Sequence, residues 1–196
     1  MQYLEAQLAF IRELDLLKGV HRQALIKCDS NRQENSAEHS WHIALTAIVL
    51  QEYAEEEIDI NRVVQMLLIH DVVEIDAGDT FAFADIADLN AQEEKELNAA
   101  HRIFGLLPEA LSQTMLSLWL EFEKAETADG RFAKAIDRIL PLIQNVQNEG
   151  GSWAKHQIKK SQVLARNQYL KDLAPKLWDY AQQQINIAMN KGWITE

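Results

Sequence analysis

Cysteine is almost missing from this 196-residue chain: Cys28 stands alone. No internal disulfide can form, and nothing points to an oxidising compartment. Three prolines and seven glycines are too few for the many turns of a sandwich or barrel, which excludes an all-β fold. The longest apolar run near the middle, Ile43 to Leu50, falls far short of the roughly 20 residues of a membrane span. At the N-terminus, Glu5, Glu13 and Asp15 interrupt the apolar stretch, unlike the core of a signal peptide. Basic residues are short too: 19 Lys and Arg against 30 Asp and Glu give a net charge of −11. Such a surface repels phosphate backbones and anionic headgroups, so nucleic-acid polymers and membranes are set aside as partners. A small phosphorylated ligand stays open, because a metal or a few arginines can invert the sign of a pocket. A cytoplasmic protein is expected.

What the chain does contain is helical periodicity. Leu4, Leu8 and Ile11 recur at helical spacing and Gly19 supplies a stop. The polar stretch from Val20 to Asn35 lacks a clear period and reads as a long loop. Ser36 is expected to cap a helix to about Glu55, and Asp59 one from Ile60 to about Ile75. Asn90 with Glu93 fits a capping box for a helix ending at Gly105, and Pro108 opens the next. Thr127 or Asp129 starts a helix that Pro141 can kink and Gly150-Gly151 ends. Further helices are expected over about 156–170 and 175–190. The reading is all-α, a single-domain antiparallel helical bundle over 1–196 without repeats or linkers.

Histidines and acids gather in two clusters, Glu38-His39-Ser40-Trp41-His42 and His70-Asp71. His39 and His42 share a helix face. Adjacent residues such as His70 and Asp71 normally diverge by about 100° on a helix, so both can reach one ion only near a helix end. Glu74 follows one turn later, and Asp79 lies just past Gly78. Asp137 is flanked by Ile136, Ile139 and Leu140. A carboxylate in such a setting is expensive unless a cation or hydrogen bonds compensate it. Two buried carboxylates and nearby imidazoles on three helices suit a divalent transition metal better than calcium. The competing readings are an Asp137 paired with Arg131 or Arg138 at a helix surface, and a His42 packed beside Trp41. Gly-rich phosphate loops, His-Glu-x-x-His and Gly-x-Ser-x-Gly are all absent.

His39, His70-Asp71 and Asp137, in that order on expected helices, resemble the HD-domain superfamily of metal-dependent phosphohydrolases. ENSAEHSWHIAL, LLIHDVVEIDAGDT and FAKAIDRILPLIQN are similar to the branch containing the 5′-deoxynucleotidases, with core motifs over about 14–153. The resemblance implies one divalent cation (Mn, Co, Ni, Fe, Zn or Mg) held by His39, His70, Asp71 and Asp137. It also implies Glu74 and Asp79 handling the attacking water, loop cations at the phosphate, and a homodimer. Arg22, Lys27 and Arg32 are the basic residues of the loop, and a guanidinium there could hold phosphate in bidentate fashion. The function expected is removal of phosphate from a small phosphomonoester, a (deoxy)nucleoside 5′-monophosphate, by a metal-activated water. The alternative is a non-catalytic HD domain that binds a nucleotide or regulates a partner. One departure bears on the sugar: His21-Arg22-Gln23-Ala24-Leu25 lacks the aromatic residue that the deoxynucleotidases carry beside the loop arginine.

Overall fold

The computed structural model describes residues 2–84 and 86–196. Helix α1 (Gln2–Glu13) leads through a 3₁₀ turn (Leu14–Gly19) into a short hairpin, β1 (His21–Ile26) and β2 (Arg32–Asn35). The expected loop is therefore a pair of antiparallel strands, with His21 opposite Asn35 and Leu25 opposite Gln33. Ser30 and Asn31 form its tip with left-handed φ of 54° and 59°, which Asn tolerates. β1 shows no alternation of buried and exposed residues, so it carries no period-2 signal to read.

β2 runs directly into α2 (Ser36–Leu50). Its cap is Asn35 rather than Ser36: the Asn35 side chain accepts from the Glu38 amide, and the Glu38 side chain returns to the Asn35 amide. Asp59 caps α3 (Ile60–Ile69) as expected, accepting from the amides of Asn61 and Arg62. A 3₁₀ turn over His70–Val73 and a short α4 (Glu74–Ala77) follow. The pair His70-Asp71 thus sits at a helix end, where tight winding can bring both side chains to one point.

Next come α5 (Ile86–Phe104), α6 (Glu109–Lys124), α7 (Ala128–Gln147) and α8 (Gly151–Lys155). Asn90 lies inside α5 rather than at its start. Thr127 caps α7, accepting from the Gly130 amide at 3.0 Å. The helix expected over 156–170 is replaced by α8, α9 (Lys160–Asn167) and α10 (Leu170–Leu173). Gln157, at φ 52°, breaks the chain between α8 and α9, and Lys159 then pairs with Thr195 in an isolated bridge. α11 (Pro175–Asn190) begins on its proline.

Helix α7 is the axis of the packing. Its buried residues, Phe132, Ala133, Ala135, Ile136, Ile139, Leu140 and Leu142, cover more than one face, so neighbours surround it. Ile43 and Ala47 of α2, Val63, Met66 and Leu67 of α3, and Ala181 and Ile185 of α11 join it in one core. A second cluster, with Phe10, Val72, Ala100, Phe104 and Trp119, closes around the 3₁₀ turn of the His70 segment. α1 contributes less than its periodicity suggests, since Leu4 and Ile11 are exposed and Phe10 is buried. The structure is 74% helical, with one two-stranded sheet among the described residues, so the fold is all-α. Among the described residues no helix is long and apolar enough to cross a membrane.

Candidate metal centre

The centre is assembled from α2, the 3₁₀ turn and α7. The Asn35–Glu38 cap fixes the first turn of α2 and so the direction of His39, which is fully buried. His70 is held from two sides: its Nδ1 lies 2.8 Å from the Leu67 carbonyl, and its own carbonyl accepts from Trp119 Nε1 at 3.1 Å. A carbonyl can only accept, so Nδ1 carries the hydrogen and Nε2 faces the site. Phe122 backs the ring, with centroids 4.8 Å apart.

Asp137 reaches in from α7. Its Oδ1 lies 3.0 Å from His39 Nε2 and 3.7 Å from His70 Nε2. Asp71 Oδ1 approaches His70 Nε2 at 2.8 Å. One ligand atom each from His39, His70 and Asp137 lies within 4.8 Å of the others. All four sequence-expected ligands are therefore side by side; the surface pairing considered for Asp137 is not seen among the described residues, and His42 packs beside Trp41 with ring centroids 5.9 Å apart.

The donor set suits a cation. His70 Nε2 is buried with no hydrogen-bond partner, although two carboxylates flank it. Close approach without hydrogen-bond geometry is what atoms sharing one ion display, since ligands about 2.1 Å from a metal are about 3 Å from one another. Burial opposes charge on His70, but Asp71 and Asp137 outweigh it and hold the imidazole up to about 10. Asp137 lies well below the usual carboxylate range: burial would raise it, but His39 and His70 prevail. Asp71 is lowered likewise, against burial, by Arg22 and His70.

Glu34 is one residue of the site that the sequence pattern did not single out. It is buried on β2, its Oε2 lies 3.3 Å from His39 Nδ1, and Gln144 donates to its Oε1 at 2.7 Å. A carboxylate behind a metal-facing imidazole orients the ring and raises its basicity. The signal was present inside ENSAEHSWH, but a buried glutamate looks like any surface one in sequence.

Arg22 sits in the irregular part of β1, where the register shifts between His21 and Leu25; bulges often re-aim a side chain beside a site. Its Nη1 donates to Asp71 Oδ2 at 2.5 Å and lies 3.7 Å from Glu74 Oε1 and 3.8 Å from Asp79 Oδ1. Burial works against its charge, but Asp71, Glu74 and Asp79 hold its pKa above the ordinary value. Glu74 is buried, and Ser36 Oγ donates to its Oε2 at 2.5 Å. Burial and then the Asp71 charge push Glu74 well above the usual range. Burial likewise raises Asp79, to about 6. Lys27 and Arg32 are not brought to this centre. Lys27 Nζ donates to the Gln147 carbonyl on the surface, and Arg32 is exposed and paired with Asp29 and Glu38.

These groups open into a cavity of about 210 Å³, with room for a small ester. Phe81 and Phe83, with ring centroids 5.5 Å apart, form part of its wall. Lys134, Arg138 and Arg166 line it as well.

Comparison with known proteins places this geometry. The family model described as HD domain matches residues 14–178. The chain is 30% identical to the human 5′-deoxynucleotidase HDDC2 over 142 residues, 72% of this chain and 68% of that protein. It is 26% identical to the Saccharomyces cerevisiae 5′-deoxynucleotidase YGK1 over 161 residues, 79% of this chain and 72% of that protein. A crystal structure of a predicted metal-dependent phosphohydrolase from Magnetospirillum magnetotacticum superimposes with a TM-score of 0.93 at 46% identity, covering 100% of this chain and 97% of that one.

Proposed function

The chain belongs to the HD domain family, and from that premise we propose that it is a metal-dependent phosphohydrolase acting on (deoxy)nucleoside 5′-monophosphates. The observation that carries the reading is the convergence of His39, His70 and Asp137 within 4.8 Å, beside an Asp71 that lies 2.8 Å from His70 Nε2. Those four side chains would hold one divalent cation. When bound, such an ion lowers the pKa of water and acts as a Lewis acid toward phosphoryl oxygen.

The rest of the work belongs to the chain. Glu74 Oε2 is engaged by Ser36, which leaves Oε1 to take the proton of the attacking water. Its raised pKa brings it toward the operating pH, where a general base is most effective. Asp79, raised to about 6, is placed to hold or pass on the same proton. Arg22 braces Asp71, keeping that carboxylate aimed. The Phe81–Phe83 wall offers apolar ring surface, the two rings lying at 67° to one another, that suits a nucleobase, from a different segment than the position beside Arg22.

The test is phosphate release from deoxy- and ribonucleoside 5′-monophosphates by chelator-treated protein resupplied with Mn, Co, Ni, Zn or Mg. Metal-dependent release is expected; no release with any ion would overturn the reading.

We further propose that the protein works as a homodimer. Trp41, Leu45 and Ile48 are exposed along one stripe of α2, with Val49 and Leu68 also exposed. Sedimentation that finds only monomer at micromolar concentration would reject the homodimer. A lone exposed thiol at Cys28 suits the cytoplasm.

A further inference from the structure

The cations that line the cavity differ in how they are engaged. Arg22 is tied to Asp71, and Lys134 Nζ is paired with Glu123 at 2.9 Å while lying over the Phe122 ring. Arg138 and Arg166 are different. Arg138 Nη1 donates to the Arg166 carbonyl at 3.0 Å, and its guanidinium lies 4.4 Å from the centroid of the Tyr169 ring. Arg166 makes one long contact, 3.5 Å to the Ala82 carbonyl. Among the described residues neither is paired with a carboxylate. Tyr169 Oη is buried near them without a hydrogen-bond partner.

Two neighbouring guanidiniums, half-buried and without a counter-ion among the described residues, are an unfavourable arrangement for the free protein. Burial pulls Arg166 below its ordinary pKa; Asp137 opposes this, while the charges of Arg138 and Arg22 add to it. The same interactions place Arg166 within electrostatic reach of the Asp137 end of the cavity. Among the described residues no carboxylate answers this corner, and an anion would. The same lining carries Asp71, Glu74 and Asp79, which would repel a dianion without such a counterweight.

We propose that Arg166, together with Arg138, grips the phosphate of the substrate, so that the phosphate site draws on α9 and α7, with Lys27 and Arg32 of the hairpin engaged elsewhere. The assignment rests on the phosphomonoester reading above. Guanidiniums hold phosphate through paired N–H donors, and a hydrogen bond to a charged group is strong enough that losing one should weaken binding about tenfold to a hundredfold.

The probe is inorganic phosphate, used on the full-length, metal-loaded protein. Phenylglyoxal labelling mapped by mass spectrometry should show Arg166 and Arg138 protected by phosphate and Arg32 unaffected. In parallel, Arg166→Gln and Arg138→Gln should each raise the inhibition constant of phosphate and the KM for nucleotide by about tenfold or more, with bound metal unchanged. Arg166→Lys, which keeps the charge but loses the fork, should fall between Arg166→Gln and the wild type. Equal labelling with and without phosphate, or unchanged constants in the folded variants, would overturn the assignment. So would protection by a nucleoside monophosphate but not by phosphate, which would place these arginines at the sugar or base. If the wild-type protein releases no phosphate from any nucleotide, the enzymatic reading fails, while phosphate protection still decides the anion site.

Discussion

Loading the centre with metal should release protons, and the geometry says how many and from where. His70 Nε2 lies between Asp71 and Asp137, which hold the imidazole up to about 10, against about 6.5 for a free histidine. In metal-free protein at pH 7 that nitrogen therefore carries a proton, and a cation must displace it. Removing a proton held at about 10 into solution at pH 7 opposes binding by on the order of 4 kcal/mol. Asp71 and Asp137 are already ionised and release nothing. Titrating Mn²⁺ calorimetrically into chelator-stripped protein, in buffers of different ionisation enthalpy, should release about one proton per ion near pH 8. Glu74 is raised by burial and then by Asp71, and any release beyond one proton that Glu74→Gln removes belongs to it. Affinity should climb at least about tenfold per pH unit between 7 and 9. In the absence of metal the same group has the opposite effect on folding: its folded pKa exceeds its unfolded one, so its stabilisation is complete below about pH 6.5 and lost as pH rises toward 10. An affinity flat in pH with no proton release would refute the placement of charge at His70.

The same geometry sets other outcomes. Glu74→Gln should keep metal content, read by elemental analysis, while lowering turnover by about 10²-fold or more; full activity would remove Glu74 from the proton path. Glu34→Gln should weaken metal binding about 10- to 100-fold through a misdirected His39, measured by competition with a chelator. Lys27→Ala and Arg32→Ala should leave KM within about twofold, because neither side chain reaches the cavity. Phe104→Ala, truncating a fully buried ring, should cost about 3–5 kcal/mol in chemical denaturation.

Helical spacing and capping chemistry made much of the frame legible. Asp59 and Thr127 cap as their types suggest, and Pro175 opens α11. The ligands could be read because each is an ionisable residue in an apolar setting, a combination that needs a reason. The hairpin was hidden because β1 has no alternation of exposure. Only pairing with a partner reveals such a strand, and that partner, β2, is four residues long. Glu34, Arg138 and Arg166 were hidden for another cause. Their side chains are long enough to leave a helix or strand in several directions, and which one they take is decided by tertiary neighbours.

β2 continues without a break into α2, so the strand bearing Glu34 and the helix bearing His39 move as one piece. β1, laddered to β2, carries Arg22 at its irregular rung. A tug on that arginine is transmitted along the ribbon to the imidazole, and stiffness at one end is stiffness at the other. The hairpin is thus a tie-rod between the grip on Asp71 and the aim of His39, and lengthening its exposed tip should be harmless where adding a residue at its base would not be.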